Sequence, residues 1–140
     1  LGRNFMIRQT IYLERAHGWK VTAFYAVTHY EVEEIMAKLI EIGCHGENLQ
    51  TAYDNLSSGN LNTGLCYSGN GESVLVISCV TSPAQFFNSL VHELHHLASH
   101  IASALGYDQK GEEVCYIGGE NAEQIYPVVS KYLCKHCRNH

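Results

Sequence analysis

The chain has 140 residues, 46% of them hydrophobic and only 16% charged, which suits a single domain spanning 1–140. Lys and Arg total 9 against 14 Asp and Glu, a formal net charge of -5, so the basic face that a nucleic-acid partner demands is missing. No apolar stretch reaches the roughly 18 residues of a membrane span, and the chain opens Leu1-Gly2-Arg3 without Met, which leaves a removed signal peptide open.

From Phe5 to Val27, β-formers alternate or cluster around His17-Gly18, and the pattern predicts a β-hairpin. Thr28 or His29 then leads into "YEVEEIMAKLIEIG", where Val32, Ile35, Met36, Leu39 and Ile40 recur at helical spacing and Gly43 suits the position just past the helix end. Residues 45–60 are polar and turn-rich, and read as a loop or an irregular short helix. "LNTGLCYS" and "SVLVISCV" flank "GNGE", so Asn70-Gly71 marks a second hairpin; Val74 to Val80 is apolar throughout and reads as a central strand.

The periodicity then changes. Thr81 or Ser82 can cap a helix with Pro83 at its first position, and that helix runs to about Leu105 and stops at Gly106. A last helical region extends from Glu112 to about Leu133, interrupted by Gly118-Gly119 and Pro127, which predict a kink or a split. Residues 1–80 are thus mainly sheet plus one helix, and 81–140 are helical. The order predicts an α+β fold, an antiparallel sheet of about four strands packed against helices.

Six cysteines are present, and Cys44, Cys66, Cys79 and Cys115 stand singly in apolar surroundings. They read as reduced cysteines of an intracellular, cytoplasmic protein. The terminal "CKHCRNH" holds a lone C-x-x-C; a closed structural zinc site needs four ligands, so the segment reads as a frayed tail.

The chemistry-bearing stretch is "NSLVHELHHLASH", Asn88 to His100. At about 100° per residue, with His92 at zero, His96 lies near 40°, His100 near 80°, Glu93 near 100° and His95 near 300°. Phe87, Leu90, Leu94, Leu97, Ala98, Ile101 and Leu105 cover the core side. Two histidines four apart stand one turn above the other, so His92 and His96 can converge on one zinc ion while Glu93 reaches its water as general base, the physical content of H-E-x-x-H. His100 lies about 12 Å along the axis from His92, too far for a ligand on a straight helix, and is assigned to the cleft or to support of the ligands. A catalytic zinc needs a third protein ligand, and Glu112 or Glu113, opening the next helix, can supply a carboxylate.

"HELHH" followed by an acidic residue on the next helix resembles the gluzincin metallopeptidases. It is more closely similar to small metallopeptidase-like proteins encoded by phages and mobile elements of bacteria. The matching positions are His92, Glu93, His96, His100, Gly106, Glu112, Cys115 and Tyr116, within residues 60–120. The resemblance implies a minimal zincin-like fold, one Zn2+ per chain, and hydrolysis of a peptide or protein substrate. Gluzincins carry a small residue three after the ligand Glu; Cys115 meets this for Glu112, whereas Glu113 would place Tyr116 there. Where thermolysin-like members keep an Asp that orients a ligand His, this chain has Tyr116, which is expected to orient His92 or His96 or to donate to an oxyanion; Glu120 and Asn121 are the substitutes farther along. The missing Asp and the short chain support a second expectation, a catalytically weak or inactive metal-binding regulatory module on a peptidase scaffold.

Overall fold

A computed structural model describes residues 6–28, 31–58, 64–78 and 82–134. Strand β1 (Ile7–Leu13) and strand β2 (Trp19–Val27) form the first hairpin. Its turn is longer than a two-residue loop: a 3-10 turn at Glu14–Ala16 precedes His17 and Gly18, both in left-handed conformation (φ 56° and 79°). Helix α1 (Val32–Glu41) follows, and then helix α2 (Gly46–Ser57), a regular 12-residue helix where the sequence suggested a loop or an irregular one. Ala52 and Leu56, four apart, are its buried residues, too sparse an apolar pattern to stand out in a polar segment. Strand β3 (Gly64–Gly69) and strand β4 (Glu72–Ser78) form the second hairpin on Asn70 and Gly71, both left-handed, as a tight primed turn requires.

The sheet order is β1-β2-β4-β3. Both hairpins are antiparallel, but β2 and β4 run parallel, so the sheet is mixed rather than antiparallel. The reason is the order of return: after α1 and α2 the chain enters as the edge strand β3, opposite in direction to β2, and the hairpin turn then brings β4 back between β3 and β2, parallel to β2. β4 is central, as its unbroken apolar run predicted, and β3 is an edge.

A central strand needs cover on both faces. Val21, Ala23, Tyr25, Leu75 and Ile77 face helix α3 (Pro83–Leu105) and helix α4 (Glu112–Val129), together with Leu97, Ile101, Ile117 and Ile125. Phe24, Val74 and Val76 face the other way, against Ile35, Leu39 and Leu56 of α1 and α2. The buried residues thus form two clusters that share one sheet.

The Ser82 hydroxyl accepts from the Gln85 N–H at 3.1 Å, Pro83 opens α3, and left-handed Gly106 closes it. α4 runs unbroken through Gly118 and Gly119, and a 3-10 turn (Ser130–Leu133) follows Pro127 instead of a split. Gly118 has a packing role: a Cβ there would lie 3.9 Å from the Ala98 Cβ, so α4 approaches α3 closely at that point. Phe87 is 55% exposed rather than in the core; Phe86 takes the inward position and stacks on Tyr132 at 4.9 Å. Among the described residues no helix is long and apolar enough to cross a membrane. Phe5, His29, Val80, Thr81 and the end of "CKHCRNH" lie outside the described residues.

Candidate metal centre

α3 is a 23-residue helix held along one side by the sheet, so the histidines on its flank are carried on a fixed scaffold. His92 and His96 are exposed, and their ring centroids lie 4.9 Å apart in an edge-on arrangement. One ligand atom each from His92, Glu93 and His96 falls within 4.8 Å of the other two, a group able to hold a metal ion. Two imidazoles and a carboxylate form a donor set that suits zinc and other divalent transition metals.

Glu93 differs from its placement on the helical wheel, where it stood clear of the core. It is 3% exposed, on the same inward face as Leu90 and Leu97. Its charge is felt by Cys66 on β3: burial, and secondly the negative charge of Glu93, hold that thiol far above its usual range. Cys66 is therefore a neutral thiol, in keeping with the reduced state read from the sequence. Cys44, Cys66, Cys115 and Cys134 are all free, although Cys115 is exposed rather than buried.

His100 continues the histidine row, its ring centroid 6.1 Å from that of His96. It is half-buried against the edge strand: Nδ1 lies 3.1 Å from Ser68 Oγ and 3.8 Å from Cys66 Sγ. Burial, and then the neighbouring His96, lower its pKa below 6.5. It also lines a cleft with Trp19, Tyr67 and the β3–β4 turn. His95 occupies the opposite flank, in a groove with Val91, Leu94 and Ala98 that α4 closes with Val114, Cys115 and Gly118.

That groove decides where the second acidic segment goes. α4 packs on the side of α3 that carries Val91, Leu94, His95 and Ala98, whose mean direction lies about 130° round the helix from that of the His92 and His96 pair. Its α3-facing residues are Val114, Cys115 and Gly118, while Glu112 and Glu113 are exposed on its first turn. Neither carboxylate belongs to the His92, Glu93 and His96 group, so the structure does not bring the expected third ligand to the pair. Both suit the helix N-terminus, where negative charge is stabilising.

Tyr116 is likewise turned away. It is 45% exposed, with the Arg15 guanidinium 4.5 Å over its ring, in a depression it shares with Glu14, Cys115 and Glu120. The other substitutes are engaged as well. Glu120 accepts from the backbone N–H of Glu14 (2.7 Å) and Arg15 (2.9 Å), tying α4 to the first hairpin. Asn121 is fully buried, and its amide donates to the Ile117 carbonyl.

No protein-family model, no curated protein and no solved structure matches this chain, so the chemistry rests on these side chains themselves. Sequence reasoning missed Ser68 and Cys66, which meet His100 of α3 from strand β3. No spacing rule links residues 32 or 34 apart, and only the pairing of β3 with β4 beneath α3 brings them there.

Proposed function

We propose that this chain is a zinc-dependent hydrolase of peptide bonds, with His92 and His96 as metal ligands and Glu93 as general base. The observation that carries the reading is the group itself: two exposed imidazoles one turn apart, with a buried carboxylate within 4.8 Å of both. When bound there, zinc would act as a Lewis acid that lowers the pKa of water and polarises a carbonyl. Glu93 then accepts a proton from the attacking water as its oxygen bonds to the substrate carbonyl carbon. It returns that proton to the nitrogen leaving as the C–N bond breaks, so the carboxylate is regenerated. Burial beside Leu90 and Leu97 suits a base that must exchange a proton rather than remain solvated.

The edge strand supports a peptide substrate. β3 lies beside the histidine flank through the contact of His100 with Ser68, and its outer side has no strand partner among the described residues. An extended peptide can add there as a further strand. A gluzincin relationship, and an origin in a phage or mobile element, belong to this proposal on the strength of the motif alone.

The second reading, a metal-binding module without productive catalysis, has its own support: Glu112 and Glu113 stand outside the group, leaving two imidazoles and Glu93 as the donors assembled there. One assay separates the two. Zinc-loaded protein is incubated with a broad peptide library. Cleavage that Glu93→Gln abolishes, with zinc content retained, supports the hydrolase; absence of cleavage in zinc-replete protein leaves the binding module.

A further inference from the structure

A hydrogen-bond chain behind His100 bears on which of its ring nitrogens carries the proton. The Trp19 indole N–H can only donate, and it does so to Ser73 Oγ at 2.9 Å. Ser73 Oγ lies 2.7 Å from Ser68 Oγ, its cross-strand partner, and Ser68 Oγ lies 3.1 Å from His100 Nδ1. Two directions are open. If His100 Nδ1–H donated to Ser68, one of the two hydroxyl hydrogens, that of buried Ser73 or that of Ser68, would be left without an acceptor in the chain. In the other direction Trp19 donates to Ser73, Ser73 to Ser68, and Ser68 to Nδ1, and every hydrogen is satisfied. The second direction needs no acceptor from outside the chain, and it is the one the geometry favours. Cys66 Sγ lies 3.8 Å from the same nitrogen. In that direction His100 carries its proton on Nε2, which has no partner among the described residues.

His100 lines a cleft of about 710 Å³ with Trp19, Tyr67, Asn70, Ser103 and Gln109. No Lys, Arg, Asp or Glu lines it, so a charged group entering would lose water without gaining a counter-charge. Hydroxyls and amides on its walls can meet an uncharged polar or apolar group.

We propose that this cleft is a substrate subsite for an uncharged residue of a peptide, and that His100 is its specificity-determining donor, giving Nε2–H to a carbonyl oxygen of that residue. The proposal deepens the peptidase reading and rests on it for the nature of the ligand. It adds a residue that touches substrate one helical turn beyond His96.

Two measurements test it. In metal-free protein labelled with nitrogen-15 at histidine, NMR should show His100 with an unprotonated Nδ1 and a protonated Nε2, its signals assigned by their loss in His100→Gln. A protonated Nδ1 overturns the assignment. In zinc-loaded Glu93→Gln protein, binding is then read without turnover, using N-acetylated, C-amidated glycine hexapeptides that carry one guest residue: Asn, Ser, Leu, Lys or Glu. Uncharged guests should bind about tenfold more tightly than Lys or Glu guests, the cost of burying an unpaired charge. His100→Phe should weaken the uncharged guests by about three- to tenfold, one hydrogen bond, while His100→Gln, which keeps an N–H at similar reach, should cost less than about threefold. Equal affinity for charged and uncharged guests, no loss in His100→Phe, or no binding of any peptide overturns the subsite. Because neither readout needs cleavage, an inactive enzyme that still prefers uncharged guests sinks the hydrolase reading and leaves the subsite intact.

Discussion

Zinc should stabilise the native chain, and the size of the effect follows from the site. His92 and His96 are carried on one helix that the sheet holds in place, so the pair is assembled before metal arrives, and the unfolded chain offers no comparable pair. A ligand that binds only the native state at 100 times its dissociation constant adds about 2.7 kcal/mol. For 140 residues the entropy of unfolding near the midpoint is about 0.3 kcal/mol per kelvin, so the melting temperature should rise by about 9 °C. The assay is thermal denaturation of chelator-stripped protein with and without zinc, at equal protein concentration. His96→Ala removes one imidazole of the pair and should cut the rise to below about 2 °C at the same zinc concentration, a loss of affinity of two orders or more. Glu93→Gln, which removes neither imidazole, should retain most of the rise. A rise that survives His96→Ala would put the ion elsewhere on the chain, and no rise in the wild type would remove the metal centre altogether.

Other outcomes follow from the same contacts. Glu112→Gln and Glu113→Gln should each change zinc affinity by less than about threefold, because α4 presents Val114, Cys115 and Gly118 to α3 instead; a tenfold loss by calorimetric titration would show that the α4 N-terminus reaches the site. Glu120→Ala should lower stability by about 1.5–3 kcal/mol in urea, through loss of the bonds from the Glu14 and Arg15 amides, and leave zinc uptake unchanged. A change below about 0.5 kcal/mol would refute the tie. In metal-free protein, His100 has its pKa lowered below 6.5 by burial and by His96, so on acidification the unfolded chain takes up the proton first. That contribution to stability is complete above about pH 6.5, declines as pH falls through the lowered value, and levels off below it. His100→Gln should flatten this part of the profile in chemical denaturation series, and an unaltered slope would refute the assignment.

How much was legible in advance differs by residue. Thr81 or Ser82 with Pro83, and Gly106, marked the ends of α3 to within a residue, since caps and left-handed termini depend on a few neighbours only. Asn70-Gly71 marked its hairpin for the same reason. α2 was obscured because two buried residues suffice to anchor it. Tyr116 and Glu112 were assigned by their distance along the chain from a motif, and such counting carries no information about which side of α3 the next helix takes.

What the sequence by itself determined is the set of short-range features: the α3 limits, the turn residues, and two imidazoles four apart on one flank. Those follow from backbone conformation and a 3.6-residue period, which act within a turn or two. The tertiary structure alone decided the parallel pairing of β2 with β4, the burial of Glu93, the meeting of His100 with Ser68 and Cys66, and the placement of Glu112 and Glu113 outside the histidine pair. Each depends on which distant surfaces bury one another. The close approach of Gly118 to Ala98 draws α4 onto the His95 flank, and apolar area and small-residue contact settle that choice over residues far apart in the chain.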